Sequence, residues 1–164
     1  MYDVIGDSFV IWVPYHKDIH LCDRFSVEQW NQIAGDIKSD AEWVDFVERY
    51  VNSVQCWILK NRTTNHPIAF VYLFNEEGDW LKVSIHGGGW EQPLMYYRGY
   101  VLMLKHLLDQ GLKIRTYCQL SNPRAIRFSR SVGFVPYRYT EDEVFMWIND
   151  KRLKNSKLYK RFYK

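Results

Sequence analysis

Trp80-Leu81-Lys82-Val83-Ser84-Ile85-His86-Gly87-Gly88-Gly89 opens the stretch that decides the fold of this chain, and Asn122-Pro123-Arg124-Ala125-Ile126-Arg127-Phe128-Ser129-Arg130-Ser131-Val132-Gly133-Phe134 closes it. The first segment alternates. Leu81, Val83 and Ile85 fall on one face and Lys82, Ser84 and His86 on the other, the pattern of a half-buried strand of the kind that borders a cleft. After the glycines a helix runs to Gln110, beginning either at Pro93 or later, near Arg98. Tyr97, Val101, Leu104 and Leu108 form its apolar stripe, and Gly111 ends it as a left-handed cap. Lys113 to Leu120 is a short strand. Asn122 then caps a second helix with Pro123 at its first position, and Ala125, Ile126, Phe128, Ser129 and Val132 fill the inner side before Gly133. A strand, a returning helix and a second strand predict a parallel pairing.

On the N-terminal side, Ser8 to His16 is a β-branched and aromatic run that suits a strand, with Pro14 placing it at an edge or near its end. Ser26-Val27-Glu28-Gln29 and Ser39-Asp40-Ala41-Glu42 are capping boxes that open two short helices. Cys56 to Asn61 is a strand followed by a turn. Ile68 to Phe74 is apolar at every position, as in a central strand covered on both faces, and Asn75 to Asp79 is the polar turn of a hairpin. On the C-terminal side, Phe134 to Tyr139 and Val144 to Ile148 form a last hairpin. The expected order is β-α-α-β-β-β-α-β-α-β-β in a mixed α/β sheet. With 164 residues and no linker, the chain is expected to form a single domain over residues 1–150.

The net charge of +3 conceals an asymmetry. Residues 151–164 carry seven Lys and Arg and no acid, so the remainder has 15 basic against 19 acidic groups and a net charge of −4. A basic C-terminal tail on a mildly acidic body is expected, solvated as terminal charge clusters usually are. Its Tyr159, Phe162 and Tyr163, interleaved with Lys160 and Arg161, also suit stacking on single-stranded bases. Cys22, Cys56 and Cys118 have no metal or disulfide spacing and fit a reducing cytosol. His16, His20, His66 and His106 show no ligand spacing, so no metal is assigned. The acidic N-terminus lacks a signal-peptide leader. No segment approaches the ~20 apolar residues of a membrane span, and no membrane partner is expected.

Two motifs sharpen the expected order. Arg98-Gly99-Tyr100-Val101-Leu102-Met103 stands at a helix start, and Asn122, Ala125, Phe128, Gly133 and Phe134 keep a fixed spacing between two strands. Together they resemble the two signatures of the GNAT N-acyltransferase superfamily. That resemblance implies a GNAT-like domain and acetyl-CoA as co-substrate. Main-chain N–H groups from Arg98 to Met103 would hold the diphosphate, with Arg98 adding charge and Asn122 touching the cofactor. The amide near Ile85 would donate to the thioester carbonyl, and a primary amine, on a small molecule or a peptide, would attack it directly. Val101 and Met103 depart from the small residues of the first signature, and Ser129 stands where many members carry a tyrosine acid.

His86, whose unperturbed pKa of about 6.5 suits a base, Glu91 and Ser129 are the catalytic candidates. Arg124, Arg127 and Arg130 fall three apart and form either a solvated basic edge or a phosphate-facing row. An acyl-CoA-dependent N-acyltransferase is the leading expectation. Its rivals are a GNAT-like binding module without catalysis and a nucleic-acid-associated protein using the basic tail, nucleic acid being the less favoured partner. The last hairpin offers a surface for a homodimer.

Overall fold

The computed structural model describes residues 5–15, 55–87 and 92–163. The two helices expected between Ser26 and Val54 lie outside them. The chain folds as two compact units, residues 1–74 with 84–99, and residues 75–83 with 100–164.

In the first unit β1 (Ile5–Gly6), β2 (Val10–Tyr15), β3 (Gln55–Asn61) and β4 (Pro67–Asn75) are successive antiparallel neighbours. The two-residue β1 is too short to show a pattern in the sequence. Pro14 lies within β2, opposite Trp57. In β4 the adjacent residues Ile68 and Ala69 are both buried. Neighbouring side chains point to opposite faces, so the strand is covered on both sides, as its unbroken apolar run requires. Asn61 forms the β3–β4 turn, its Oδ1 accepting from the amides of Thr63 and Thr64 at 2.9 and 3.2 Å.

The second unit holds the start of β5 (Trp80–Gly87), β6 (Lys113–Gln119), β7 (Val135–Tyr139) and β8 (Glu143–Ile148). β5 pairs with β6 in parallel, the consequence expected of the returning helix α1 (Pro93–Asp109). β8 lies between β6 and β7, antiparallel to both. Ile114, Thr116 and Cys118 alternate with half-buried Arg115 and Tyr117 along β6. That inner face packs with Tyr100, Met103 and Leu104 of α1, α2 (Pro123–Ser131), Phe134, Val144, Met146 and Ile148 in the core.

Residues 151–164 do not form a solvated tail. The segment folds into α3 (Asp150–Lys154) and α4 (Lys157–Phe162), capped by the side chains of Asn149 and Ser156. Leu153 is fully buried and Leu158 nearly so. The charge density hid two core leucines at a spacing too short for a periodic signal. No helix among the described residues is long and apolar enough to cross a membrane.

Candidate functional site

Among the described residues β5 and β6 are paired at Trp80–Lys113, Leu81–Ile114 and Lys82–Arg115. At the next position a side chain takes over. The buried Thr116 hydroxyl donates to the Val83 carbonyl at 2.8 Å. β5 runs on to Gly87, carrying a half-buried Ile85. His86 belongs to β5 by its backbone, while its side chain and the whole of Glu91 lie outside the described residues.

Of the two helix starts open from the sequence, the earlier is found. α1 begins at Pro93, where a proline costs no hydrogen bond and its fixed φ favours the first turn. The Tyr96 amide donates to the Gln92 carbonyl at 3.0 Å. Arg98 to Met103 are therefore the sixth to eleventh helical residues, and their N–H groups are taken by the i−4 carbonyls of the helix itself. The cradle expected at Arg98–Met103 is not formed there. A helix beginning at Pro93 leaves the amides of Leu94 and Met95 without an intrahelical acceptor. Gln92, just before the entrance, accepts from Asn61 Nδ2 at 2.9 Å, which ties the entrance to the β3–β4 turn.

The signature side chains have other partners. Arg98 is ion-paired with Asp7 and lies 4.4 Å over the Phe9 ring. Asp7 also accepts from the Phe9 and Val10 amides at 2.8 and 3.0 Å. Burial pushes its carboxyl up, but Arg98 and the two amides outweigh this and hold it below the usual range. Gly99 is set by packing, since a Cβ there would stand 2.3 Å from a methyl of the fully buried Leu59. Its carbonyl accepts from the Trp12 indole at 2.7 Å. Tyr100 stacks on Phe128 at 5.4 Å between centroids, Val101 and Met103 are fully buried, and Leu102 is half-buried.

In the second signature Asn122 is the helix cap, its Oδ1 accepting from the Ala125 amide at 3.1 Å. Gly133 is required. Its φ is +111°, and a Cβ would meet the Arg152 carbonyl oxygen at 2.6 Å. Ser129 is buried, its hydroxyl 3.5 Å from Cys118 Sγ. It packs the α2–β6 contact. Burial pushes the Cys118 thiol up, so it packs as a neutral group. Asp7, Trp12 and Thr116 were not singled out in the sequence. Only Asp7 left a local sign there, in the turn-forming Asp7-Ser8 pair.

No family model and no curated protein sequence matches this chain. Solved structures do. A GNAT-family acetyltransferase from Bacillus anthracis is similar at a TM-score of 0.72 and 13% identity, over 91% of this chain and 99% of its own. A GCN5-related N-acetyltransferase from Brucella melitensis gives 0.73 and 14%, over 96% and 82%. A Vibrio cholerae spermidine N-acetyltransferase chimera gives 0.64 and 16%, over 90% and 100%. At such identities the likeness is one of backbone path, and with its parallel β5–β6 pair and returning helix the chain has the fold of the GCN5-related N-acetyltransferases.

Proposed function

We propose that the chain is an acyl-CoA-dependent N-acyltransferase that passes an acyl group, acetyl first among them, to a primary amine. One observation carries this reading. The parallel β5–β6 ladder stops after Lys82 and Arg115, with Thr116 closing it, while β5 continues toward the entrance of α1. Strand edges without ladder partners offer main-chain donors to an extended ligand.

Coenzyme A does not fit Arg98–Met103, where the amides are internal to the helix and Arg98 is paired. It fits the entrance five residues earlier. The Leu94 and Met95 N–H groups would hold its diphosphate, at the positive end of a 17-residue helix. Leu94 itself is 48% exposed. When bound, acyl-CoA supplies a thioester whose carbonyl carbon is the electrophile. The Ile85 amide would donate to the carbonyl oxygen as charge develops on it. His86 or Glu91 would take the proton from the ammonium acceptor. Spermidine, the substrate named for one structural neighbour, makes polyamines the first acceptors to assay.

Calorimetry with acetyl-CoA tests this. Leu94→Pro removes one of the two entrance amides while the first helical turn tolerates proline. Acetyl-CoA affinity should fall by about tenfold or more, as for a lost hydrogen bond to a charged group. A second reading, a GNAT-fold binding module without catalysis, is favoured by the burial of Val101, Met103 and Ser129. Absence of binding at millimolar acetyl-CoA would leave that reading in possession.

A further inference from the structure

The C-terminal segment and α2 build a cationic cleft that the acyltransferase reading does not use. Its volume is about 650 Å³, and Arg130, Lys151, Arg152, Lys157, Asn149 and Asn155 stand among its walls. No acid lines it. The one carboxylate in the segment, Asp150, is taken by Lys154 at 2.9 Å. Arg130, Lys151, Arg152 and Lys157 are all exposed, and among the described residues none of them is paired with a carboxylate. Four cations facing one concavity repel one another, at a cost that an anionic ligand would relieve.

The charge continues past the cleft. Arg127 and Arg124 precede Arg130 by three and six residues on α2, and all three are exposed. Residues three apart share a helix face, so they extend the row about 9 Å beyond the cleft. Lys160 and Arg161, also exposed, carry it along α4. A small phosphorylated ligand would satisfy the cleft and leave this ridge unused. A linear polyanion would use both.

The aromatic side chains expected to stack on bases are engaged. Tyr159 packs on Tyr163 at 5.3 Å and Phe162 on Tyr163 at 6.4 Å. Arg152 lies 5.1 Å over the Trp147 ring. What the surface presents is cationic, with phosphates its natural contacts. The cations are also held in place. Leu153 and Leu158 anchor the two helices, and Gly133 lets the main chain at Arg152 approach the α2–β7 turn closely.

We propose that this face of α2, α3 and α4 binds the phosphodiester backbone of duplex nucleic acid, independently of sequence and separately from the acyl-CoA site. The test is fluorescence anisotropy of the full chain with a labelled 20-base-pair DNA duplex of mixed sequence, from 50 to 200 mM salt. Micromolar binding is expected, with log K falling against log salt at a slope of about −5 to −7, for about six to eight phosphates neutralised by the cleft and the ridge together. The triple variant R130Q/K151Q/K157Q should weaken binding at least about tenfold at 50 mM salt and make the slope shallower by about two to three. Its thermal melt and its response to acetyl-CoA should match the parent. The variant R62Q/K113Q/R138Q, which removes equal charge from exposed positions elsewhere, should bind as the parent does. No binding, equal loss in both variants, or tighter binding to a 20-base single strand would each overturn the proposal. None of these results depends on whether acetyl-CoA binds.

Discussion

Asp7 shows how one side chain can change what a signature means. Arg98 and Gly99 match a diphosphate-binding pattern by type and spacing, yet Arg98 is held by Asp7, and Gly99 is held under Leu59 and Trp12. The pair carries a pH dependence of definite sign. Asp7 has its folded pKa depressed, so its contribution is fully present above the unfolded value near 4 and is lost as pH falls through the folded one. Glu76 acts in the same sense. Burial pushes its carboxyl up, but Arg115 at 2.8 Å and the Tyr117 hydroxyl bring it below the ordinary range. Asp7→Asn should therefore cost about 1–2 kcal/mol at pH 7. Denaturation at stepped pH should also show a smaller loss of stability between about pH 4 and pH 2 than in the parent, with the remaining slope due to groups such as Glu76.

α1 and β5 place the candidate site; β5 keeps its sequence outline to within a residue, and α1 takes the earlier of the two starts that the sequence left open. A start at Pro93 instead of Arg98 moves the free amides by five residues, or roughly 7.5 Å along the axis. The Thr116–Val83 bond closes the parallel ladder from the side. Thr116→Val keeps the shape and removes the hydroxyl, leaving a buried carbonyl without that donor. A loss of about 1–2 kcal/mol in urea denaturation is expected. If the parting of β5 and β6 supports the acyltransferase site, acetyl-CoA affinity should fall with it.

In the second unit as a body, residues 150–162 are part of the fold. Leu153→Ala removes a fully buried side chain and should cost about 2–5 kcal/mol, read as a lowered melting temperature. Deleting the segment would remove both core leucines together with the cations. Charge-neutralising variants are therefore the sound way to ask what the basic face does. Each described strand from β2 to β8 falls within a residue or two of its sequence outline, because alternation and turn residues are local signals. β1 and the two terminal helices were not legible, since two to six residues hold fewer than two full periods, too few for a pattern to repeat.

From residues alone, the chain's class and the order of the described elements from β3 to β8 could be read, as could the Asn122 cap, the Gly133 turn and the parallel pairing forced by a returning helix. These follow from backbone geometry, periodicity and caps, which act over a few residues. The groups to which Arg98, Gly99 and Ser129 are committed, and which of the two starts α1 takes, came only with the folded chain. Asp7 and Arg98 are 91 residues apart, and no short-range rule connects them. A contact of that separation exists only when strands and helix have packed, and it decides whether a motif serves a ligand or the core.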